Sequence, residues 1–163
     1  MTTTETGTTT PDLTAEIASA LLSVARTMNQ VRVHEALCRR AGVDLDRSGA
    51  AVLYKLVTEG EHVRLTDLAE RLGVDSPAVT RKVQQLERRR LVSRAADPQD
   101  ARASRLALTA AGRRAIERLL AARQAWLGEL LQDWSEGDRG ELARLLGLLA
   151  ATVGRHTEVR HGR

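Results

Sequence analysis

The stretch TDLAERLGVDSPAVTRKVQQLERRR, residues 66–90, decides the fold. Its first part, DLAERL, has the apolar spacing of a short helix, with Thr66 as the predicted cap and Gly73 as the residue that ends it. Ser76 and Pro77 then form a second helix-start signal, because serine caps helices well and proline is tolerated in the first turn. Two helices joined by a turn of three residues predict a helix-turn-helix unit.

The second of these helices, residues 76–90, has one apolar and one polar side. Val79, Val83 and Leu86 are spaced four and three residues apart, so we expect them to face the core. At about 100° per residue, the polar side chains then point away from the core. The outward set is Arg81, Gln84, Gln85 and Arg88.

These outward side chains have the chemistry of DNA recognition. Arginine hydrogen-bonds guanine and glutamine hydrogen-bonds adenine, and Thr80 can contact either a base or the thymine methyl group. The amino-terminal end of the helix adds backbone donors for phosphate at Ser76 and Ala78. The alternative is a charged helix face that is only solvated. The order of two capped helices followed by a basic hairpin favours DNA binding.

The hairpin follows directly along the chain. Residues 91–95 and 104–108 flank the turn-rich sequence DPQDAR, and this pattern predicts two strands and a polar tip. Arg102 lies in the tip and suits a minor groove, whose negative potential attracts arginine. Asp100 is expected to pair with Arg102 and to orient it. Upstream, the sequence HVRL at residues 62–65 predicts a brief additional strand.

Long helices flank this unit on both sides. Apolar residues recur at spacings of three and four from Leu13 to Val31, which predicts one helix that continues to about Arg40. A helix at residues 47–58 follows, with Asp46 or Ser48 as its cap. Beyond the predicted cap Thr109, a long helix, a break at residues 133–137 and a final helix complete the chain.

The aliphatic stripes on the terminal helices are wide, and so small a core cannot cover them all. Partner helices of a second copy are the simplest cover, and packing of the terminal helices on each other is the alternative. The expected organisation is therefore a tail at 1–11, an N-terminal dimerisation helix at 12–45, a winged helix-turn-helix DNA-binding domain at 46–108, C-terminal dimerisation helices at 109–155 and a tail at 156–163.

Composition and charge narrow the class of protein. The net charge is only +4, but residues 76–105 contain eight basic and three acidic side chains, so the positive charge is concentrated there, as in a phosphate-binding surface. Phe is absent and aromatic residues make up 2% of the chain, which predicts an aliphatic core. Without a signal peptide or an apolar run long enough to span a membrane, we expect a cytoplasmic protein. The four histidines are scattered and no phosphate-cradling loop is present, so we expect no enzymatic activity, cofactor or metal.

Residues 65–112, LTDLAERLGVDSPAVTRKVQQLERRRLVSRAADPQDARASRLALTAAG, resemble the winged helix-turn-helix core of the MarR (multiple antibiotic resistance regulator) family. The elements L-A-x-x-L-x-V, T-R-x-V, L-V, D-P-x-D-x-R and L-T-x-x-G occur in the order and spacing of that family. The resemblance implies a bacterial homodimer whose two recognition helices enter successive major grooves of a palindromic site in double-stranded DNA. The positions that match its DNA contacts are Ser76, Ala78, Thr80, Arg81, Gln84, Gln85 and, in the wing, Arg102 with its partner Asp100.

One position departs from the family pattern. Arg90 stands where the family usually has glycine, directly before the Leu-Val strand. A left-handed residue closes the helix there, and an arginine in that conformation costs about 1 kcal/mol. The alternative is a slightly altered helix end, with a changed angle between the recognition helix and the wing.

The resemblance also implies a small-molecule effector that releases the protein from DNA. In this sequence the corresponding region contains Met28, Arg32 and Tyr54, each of which has an ordinary core or surface interpretation as well. Cys38, the single cysteine, is more typical of a buried thiol than of a sensor, although arginines follow it. With His34 it supplies only two metal ligands, and this is weak evidence for zinc.

The sequence therefore predicts a mainly α fold with a small β-wing, a winged helix-turn-helix core flanked by long dimerisation helices. The predicted function is a dimeric, sequence-specific transcriptional regulator, a repressor released by a small ligand. Two alternatives stay open. One is a redox- or zinc-responsive regulator acting through Cys38, and the other is a winged-helix module that binds protein or RNA.

Overall fold

The computed structural model describes residues 12–59, 63–97 and 100–161, with the backbone alone at 100–103 and 157–161. Within these residues the chain forms seven helices and a three-stranded antiparallel sheet, and this confirms the mainly α fold with a small wing. No described helix is both long and apolar enough to cross a membrane. The elements are α1 Leu13–Met28, α2 Val31–Ala41, α3 Arg47–Thr58, β1 Val63–Arg64, α4 Leu65–Leu72, α5 Ser76–Arg88, β2 Val92–Asp97, β3 Asp100–Leu108, α6 Ala110–Leu130 and α7 Glu136–His161.

The chain divides into two compact units, residues 1–122 and residues 123–163. The first unit contains the helix-turn-helix, the sheet and the first part of α6. Its core is aliphatic, as the composition predicts, because hydrophobic burial must come from leucine, isoleucine and valine where phenylalanine is absent. The largest fully buried side chains are Leu53, Leu68, Leu86, Leu106, Ile116, Leu119, Val52 and Val83. The second unit consists of the end of α6 and the whole of α7.

The apolar spacing predicts a single long first helix, and this prediction is wrong. The structure has two helices, α1 and α2, separated at Asn29 and Gln30. Asn29 is the C-cap of α1, and Gln30 adopts an extended conformation with φ −67° and ψ 138° as the N-cap of α2. The apolar positions continue through this break, so their spacing alone does not reveal it. Gly42, with φ 61°, ends α2 in the left-handed conformation typical of helix C-termini.

The predicted hairpin is present and somewhat longer than expected. Strands β2 and β3 pair antiparallel, with Val92 opposite Leu108 and Ala95 opposite Arg105. The brief strand β1 pairs with the other edge of β3, so the sheet has the order β1-β3-β2. Of the four residues predicted for this strand, two form it. Leu65 already begins α4, and residue 62 lies outside the described residues.

Two predicted helix caps are displaced by neighbouring residues. Helix α4 begins at Leu65 with Arg64 as its N-cap, so Thr66 lies inside the first turn instead of capping it. Helix α5 begins at Ser76, and its N-cap is Asp75, whose carboxylate accepts a hydrogen bond from the Ala78 amide at 2.7 Å. Aspartate and serine are both good caps, so the local sequence left this choice open.

The remaining helix boundaries lie close to the predictions. Asp46, one of the two candidates, caps α3 by accepting a hydrogen bond from the Gly49 amide at 2.9 Å. The hydroxyl of Thr109 accepts a hydrogen bond from the Gly112 amide at 3.0 Å, as expected of a cap for α6. The break after α6 falls at residues 131–135, slightly before the predicted 133–137. Helix α7 continues to His161, beyond residue 155, where the predicted tail begins.

The joint between α5 and the wing places Arg90 in the left-handed conformation, with φ 56°. The Leu91 amide donates to the carbonyl of Leu86 at 2.9 Å, and the Arg90 amide donates to the carbonyl of Glu87 at 2.8 Å. These two bonds form a Schellman motif, which usually has glycine at the left-handed position. Of the two alternatives at Arg90, the structure therefore has the left-handed residue and the regular helix end.

We expect Arg90→Gly to raise the free energy of unfolding by about 0.5–1 kcal/mol. The left-handed conformation costs a residue with a Cβ about 1–2 kcal/mol, and part of this gain is offset because glycine has more freedom in the unfolded chain. Chemical denaturation measures the change. Gln84→Gly, in the exposed interior of the same helix, is the control, and it should lower stability by about 1 kcal/mol. A loss of stability in both variants would contradict the strain at Arg90.

Candidate nucleic-acid interface

Helix α5 is fixed by its apolar side. Val79, Val83 and Leu86 are 2%, 0% and 2% exposed, which confirms the orientation that their spacing predicts. Since the buried side is set, the opposite side of the helix faces outward. It presents Ser76, Arg81, Gln84, Gln85 and Arg88 as exposed residues, with Ala78 and Thr80 half-buried beside them.

Three of the outward side chains are not engaged by the rest of the described chain. Arg81, Gln84 and Arg88 are exposed and make no hydrogen bond or ion pair with any described residue. Two arginines and one glutamine thus present their donors to the surroundings along successive turns of one helix. Arginine offers a planar fork of donors that matches phosphate and guanine, so this surface suits a nucleic acid.

The other predicted contact residues already use some of their hydrogen-bonding groups within α5 or at its N-cap. The Thr80 hydroxyl donates to the carbonyl of Ser76 at 2.8 Å, and the Ala78 amide donates to the Asp75 carboxylate at 2.7 Å. The side-chain oxygen of Gln85 accepts a hydrogen bond from Lys82 at 2.8 Å, so its amide group keeps its two donors for an outside partner. Of the two amides predicted to bind phosphate, the Ala78 amide is therefore already bonded.

Ion pairs hold α5 from its other sides, and the sequence reasoning missed them. Lys82 contacts Asp46, Arg89 contacts Asp44, and Glu87 accepts a hydrogen bond from Arg94 of β2 at 3.1 Å. Lys82 and Arg89 belong to the same basic segment as Arg81 and Arg88. The basic residues of α5 and its C-cap thus divide into an outward pair and a pair bonded within the protein.

An ion-pair cluster that the sequence reasoning also missed lies at the base of the wing. Asp97, whose side chain is 0% exposed, accepts a hydrogen bond from Arg64 Nε at 2.7 Å and lies 3.1 Å from Arg105. These three residues come from the three strands, so the carboxylate joins the whole sheet. The side chains of Asp100 and Arg102 lie outside the described residues, although the backbone of both belongs to β3.

The three predicted ligand-binding residues are exposed in the described structure. Met28 and Tyr54 are 49% and 47% exposed, and Arg32 is exposed and donates to Gln30 at 2.6 Å. No hydrogen bond or ion pair joins the three within the described residues. A cavity of about 290 Å³ lies between the α2–α3 loop and α6, and one of about 410 Å³ lies among α3, α4 and α5. Neither cavity is lined by Met28, Arg32 or Tyr54.

Cys38 and His34 pack together in the core, as the interpretation of a buried thiol predicts. Both are 6% exposed, and the Cys38 sulfur lies 3.4 Å from His34 Nε2 and 3.3 Å from the carbonyl oxygen of Leu45. His34 Nε2 lies 2.8 Å from the same carbonyl. Among the described residues, no group of three or more His, Cys, Asp and Glu side chains is placed to hold a metal ion. The cluster therefore fastens α2 to the loop before α3.

Sequence comparisons match the part of the chain that contains this interface. The model of the MarR family matches residues 45–104. A curated relative, the uncharacterized HTH-type transcriptional regulator YdgJ of Bacillus subtilis (strain 168), is 33% identical over 101 residues. That alignment covers 62% of this chain and 62% of the relative, so the chain matches less than two thirds of the relative's length.

Solved structures match over most of the chain. A MarR family protein from Bacillus stearothermophilus has a TM-score of 0.77 at 22% identity, covering 90% of this chain and 99% of that chain. The YusO protein of Bacillus subtilis has a TM-score of 0.65 at 25% identity, covering 88% and 99%. A mutant S. aureus MepR bound to an oligodeoxyribonucleotide has a TM-score of 0.59 at 18% identity, covering 84% and 97%. Residues 45–104 thus match the MarR family model, and the chain shares the architecture of solved MarR family proteins.

Proposed function

We propose that this protein is a transcriptional regulator that binds double-stranded DNA in a sequence-specific manner through α5. The observation that carries the proposal is the outward face of α5, where Arg81, Gln84 and Arg88 are exposed and bonded to no described residue while the opposite face is buried. An α-helix fits the major groove, in which each base pair presents a distinct set of donors and acceptors. The similar MepR structure is bound to an oligodeoxyribonucleotide, and this supports DNA as the partner.

The residues of α5 take different roles in this proposal. Arg81 and Gln84 lie where side chains reach base edges, and they would bond guanine and adenine respectively. Arg88 lies one to two turns further along, where it would hold a phosphate. Ser76, at the first turn, offers its hydroxyl and amide to the backbone of the duplex. Arg102 of the wing would enter the adjacent minor groove, with Asp100 orienting it.

We propose further that the protein acts as a homodimer on a palindromic operator. The terminal helices α1 and α7 expose many large aliphatic side chains, more than isolated surface residues explain. A second copy would cover them and would place two recognition helices about 34–36 Å apart, one helical turn of DNA. The exposed side chains are Leu13, Ile17, Leu21, Leu22, Val24 and Met28 of α1, and Leu145, Leu146, Leu148, Leu149 and Val153 of α7.

The regulatory outcome in this proposal is repression that a small ligand relieves. A dimer spanning two half-sites occupies the duplex and excludes other proteins from it. Met28 is exposed at the end of α1, Arg32 at the start of α2 and Tyr54 on α3, and they combine an apolar, a cationic and an aromatic group. An anionic aromatic effector would use all three. Thermal unfolding with and without aromatic carboxylates, compared between wild type and Arg32→Ala, tests this part of the proposal.

Replacement of Arg81 by alanine is the direct test of the DNA-binding surface. We expect the Kd for a duplex selected from a random pool by the wild-type protein to rise by about 5- to 150-fold. One bidentate base contact is worth about 1–3 kcal/mol. Fluorescence anisotropy measures the affinity, and light scattering should show an unchanged oligomeric state.

The matched control is Arg114→Ala, which removes the same charge from an exposed position of α6 outside the interface. It should weaken binding to specific and random duplexes by the same small factor. If Arg81→Ala discriminates between the two duplexes as well as wild type does, α5 is not the reading surface. Preference for single-stranded RNA over duplex DNA would instead favour the winged-helix interaction module.

A further inference from the structure

Two carboxylates in one loop contact two cations, one in α5 and one at its C-cap. The loop of residues 42–46 joins α2 to α3 and contains Asp44 and Asp46. Lys82 Nζ donates to Asp46 Oδ2, and Arg89 donates through Nη2 to both the carbonyl oxygen and, at 3.0 Å, the carboxylate of Asp44. Lys82 and Arg89 are seven residues apart, which is two helical turns, so both contacts are made on the same side of α5.

The contact at Asp46 is held in a fixed geometry. Asp46 accepts hydrogen bonds from the Gly49 amide at 2.9 Å and from the Ser48 hydroxyl at 3.1 Å, in addition to the bond from Lys82. Partial burial raises the pKa of Asp46, but the hydrogen bonds from Lys82 and the Gly49 amide together lower it below the ordinary value. The Lys82 side chain is only 17% exposed, and its ammonium group is bonded to Asp46 and Gln85.

We infer that Asp46 is a positioning residue for DNA recognition: with the exposed contact of Asp44 beside it, it fixes the rotation and depth of α5, and therefore which bases Arg81 and Gln84 can reach. The inference rests on the proposed function of α5. Base-edge hydrogen bonds need a heavy-atom distance of about 2.7–3.2 Å, so a small rotation of the helix removes them. Contacts to phosphates are made by flexible arginine side chains, so they tolerate such a rotation better.

Positioning and general electrostatics predict opposite changes in affinity for the specific duplex when the charge of a carboxylate is removed. A negative charge close to a DNA-binding surface repels phosphate, so its removal should tighten binding to every duplex. A positioning role gives the reverse result for the specific duplex, because the helix loses its fixed orientation. This difference in sign separates positioning from general electrostatics in one measurement.

Asp46→Asn is the variant for this measurement. The amide oxygen of asparagine can still accept the hydrogen bond from the Gly49 amide, so the cap of α3 is kept, while the negative charge facing Lys82 is lost. We expect the ratio of specific to random affinity to fall by about tenfold, with random-duplex binding unchanged or tighter. Lys82→Arg, which keeps the cation, should retain most of the wild-type ratio. Thermal unfolding verifies that both variants are folded.

The matched control is Glu35→Gln, which removes one negative charge from an exposed position of α2 that makes no ion pair with described residues. It should tighten binding to both duplexes slightly and leave their ratio unchanged. If wild type discriminates and Asp46→Asn discriminates equally well, the positioning role is excluded while the proposed function stands. If wild type itself fails to distinguish a selected duplex from a random one, the proposed function fails.

Discussion

Replacement of Gly112 by alanine is expected to lower the free energy of unfolding by about 3 kcal/mol or more, at the upper end of overpacking effects. A Cβ atom at this position would lie 1.9 Å from the carbonyl oxygen of Leu91 and 2.8 Å from its carbonyl carbon. Both are backbone atoms, so no side-chain rotation relieves the overlap. Thermal unfolding should show a midpoint lower by about 6–12 °C, as expected for a domain of this size.

The backbone of Leu91 cannot move away without breaking other bonds. Its carbonyl oxygen accepts a hydrogen bond from the Thr109 amide at 3.1 Å. The Thr109 hydroxyl donates to the carbonyl of Arg90 at 2.6 Å and accepts from the Gly112 amide at 3.0 Å. The end of α5, the start of the wing and the start of α6 therefore meet at one joint, and only glycine allows the helix to approach so closely.

Gly128→Ala provides the control in the same helix. No described atom outside its own helix lies within 4 Å of an added Cβ there, so alanine should raise stability by about 0.5–1 kcal/mol through its better helix propensity. Opposite effects of one substitution at two positions of α6 would isolate the contact with Leu91. A Gly112→Ala variant as stable as wild type would show that the joint is looser than these distances indicate.

Local features of the fold could be predicted from the sequence because they depend on neighbouring residues. The spacing of Val79, Val83 and Leu86 correctly predicts the buried side of α5, and the pattern around DPQDAR correctly predicts the hairpin. The break at Asn29 and Gln30 could not be predicted from spacing, because apolar residues continue in phase across it. The N-caps of α4 and α5 lie two residues and one residue before the predicted positions, and only at α5 does the neighbouring side chain make the capping bond.

The candidate site, too, has features that the sequence predicts and features that it does not. The outward position of Arg81 and Gln84 follows from helix periodicity and is confirmed as a position, while their contacts with DNA stay a prediction. The pairing of Lys82 with Asp46 and of Arg89 with Asp44 joins residues 36 and 45 positions apart. No local pattern indicates such pairs, because the tertiary fold brings them together. A basic run in a sequence therefore overstates the number of cations available to DNA.

Asp97 is the position where loss of one charge should be most costly. Its side chain is 0% exposed, while those of Arg64 and Arg105 are 40% and 27% exposed. A register irregularity between Ala96 and Asp97 interrupts the alternation of β2, and Asp97 lies buried at the end of the strand like Val92 at its start. The carboxylate is thus the one group that neutralises both arginines at the base of the wing within the described structure.

Asp97→Asn should therefore destabilise the protein by about 2–4 kcal/mol. Breaking a buried ion pair from one side costs about 3–5 kcal/mol, and partial exposure of the two arginines reduces this figure. The cost is increased because Arg105 Nε is already buried without a hydrogen-bond partner among the described residues, which offer no spare acceptor for this second guanidinium group. Chemical denaturation measures the change, and amide hydrogen exchange in β2 and β3 should report where it acts.

Glu87→Gln is the comparison that separates burial from charge. It removes the negative charge that pairs with Arg94. Because the side chains of Glu87 and Arg94 are 27% and 32% exposed, we expect the free energy of unfolding to fall by less than about 1 kcal/mol. If the two variants were equally stable, the buried carboxylate would add nothing beyond a surface pair. If Asp97→Asn alone unfolds the wing, duplex binding should weaken even with α5 intact, because the wing strands begin at the joint that also ends α5. The ion-pair cluster would then be a structural requirement of the interface, although none of its three residues lies among the predicted DNA contacts.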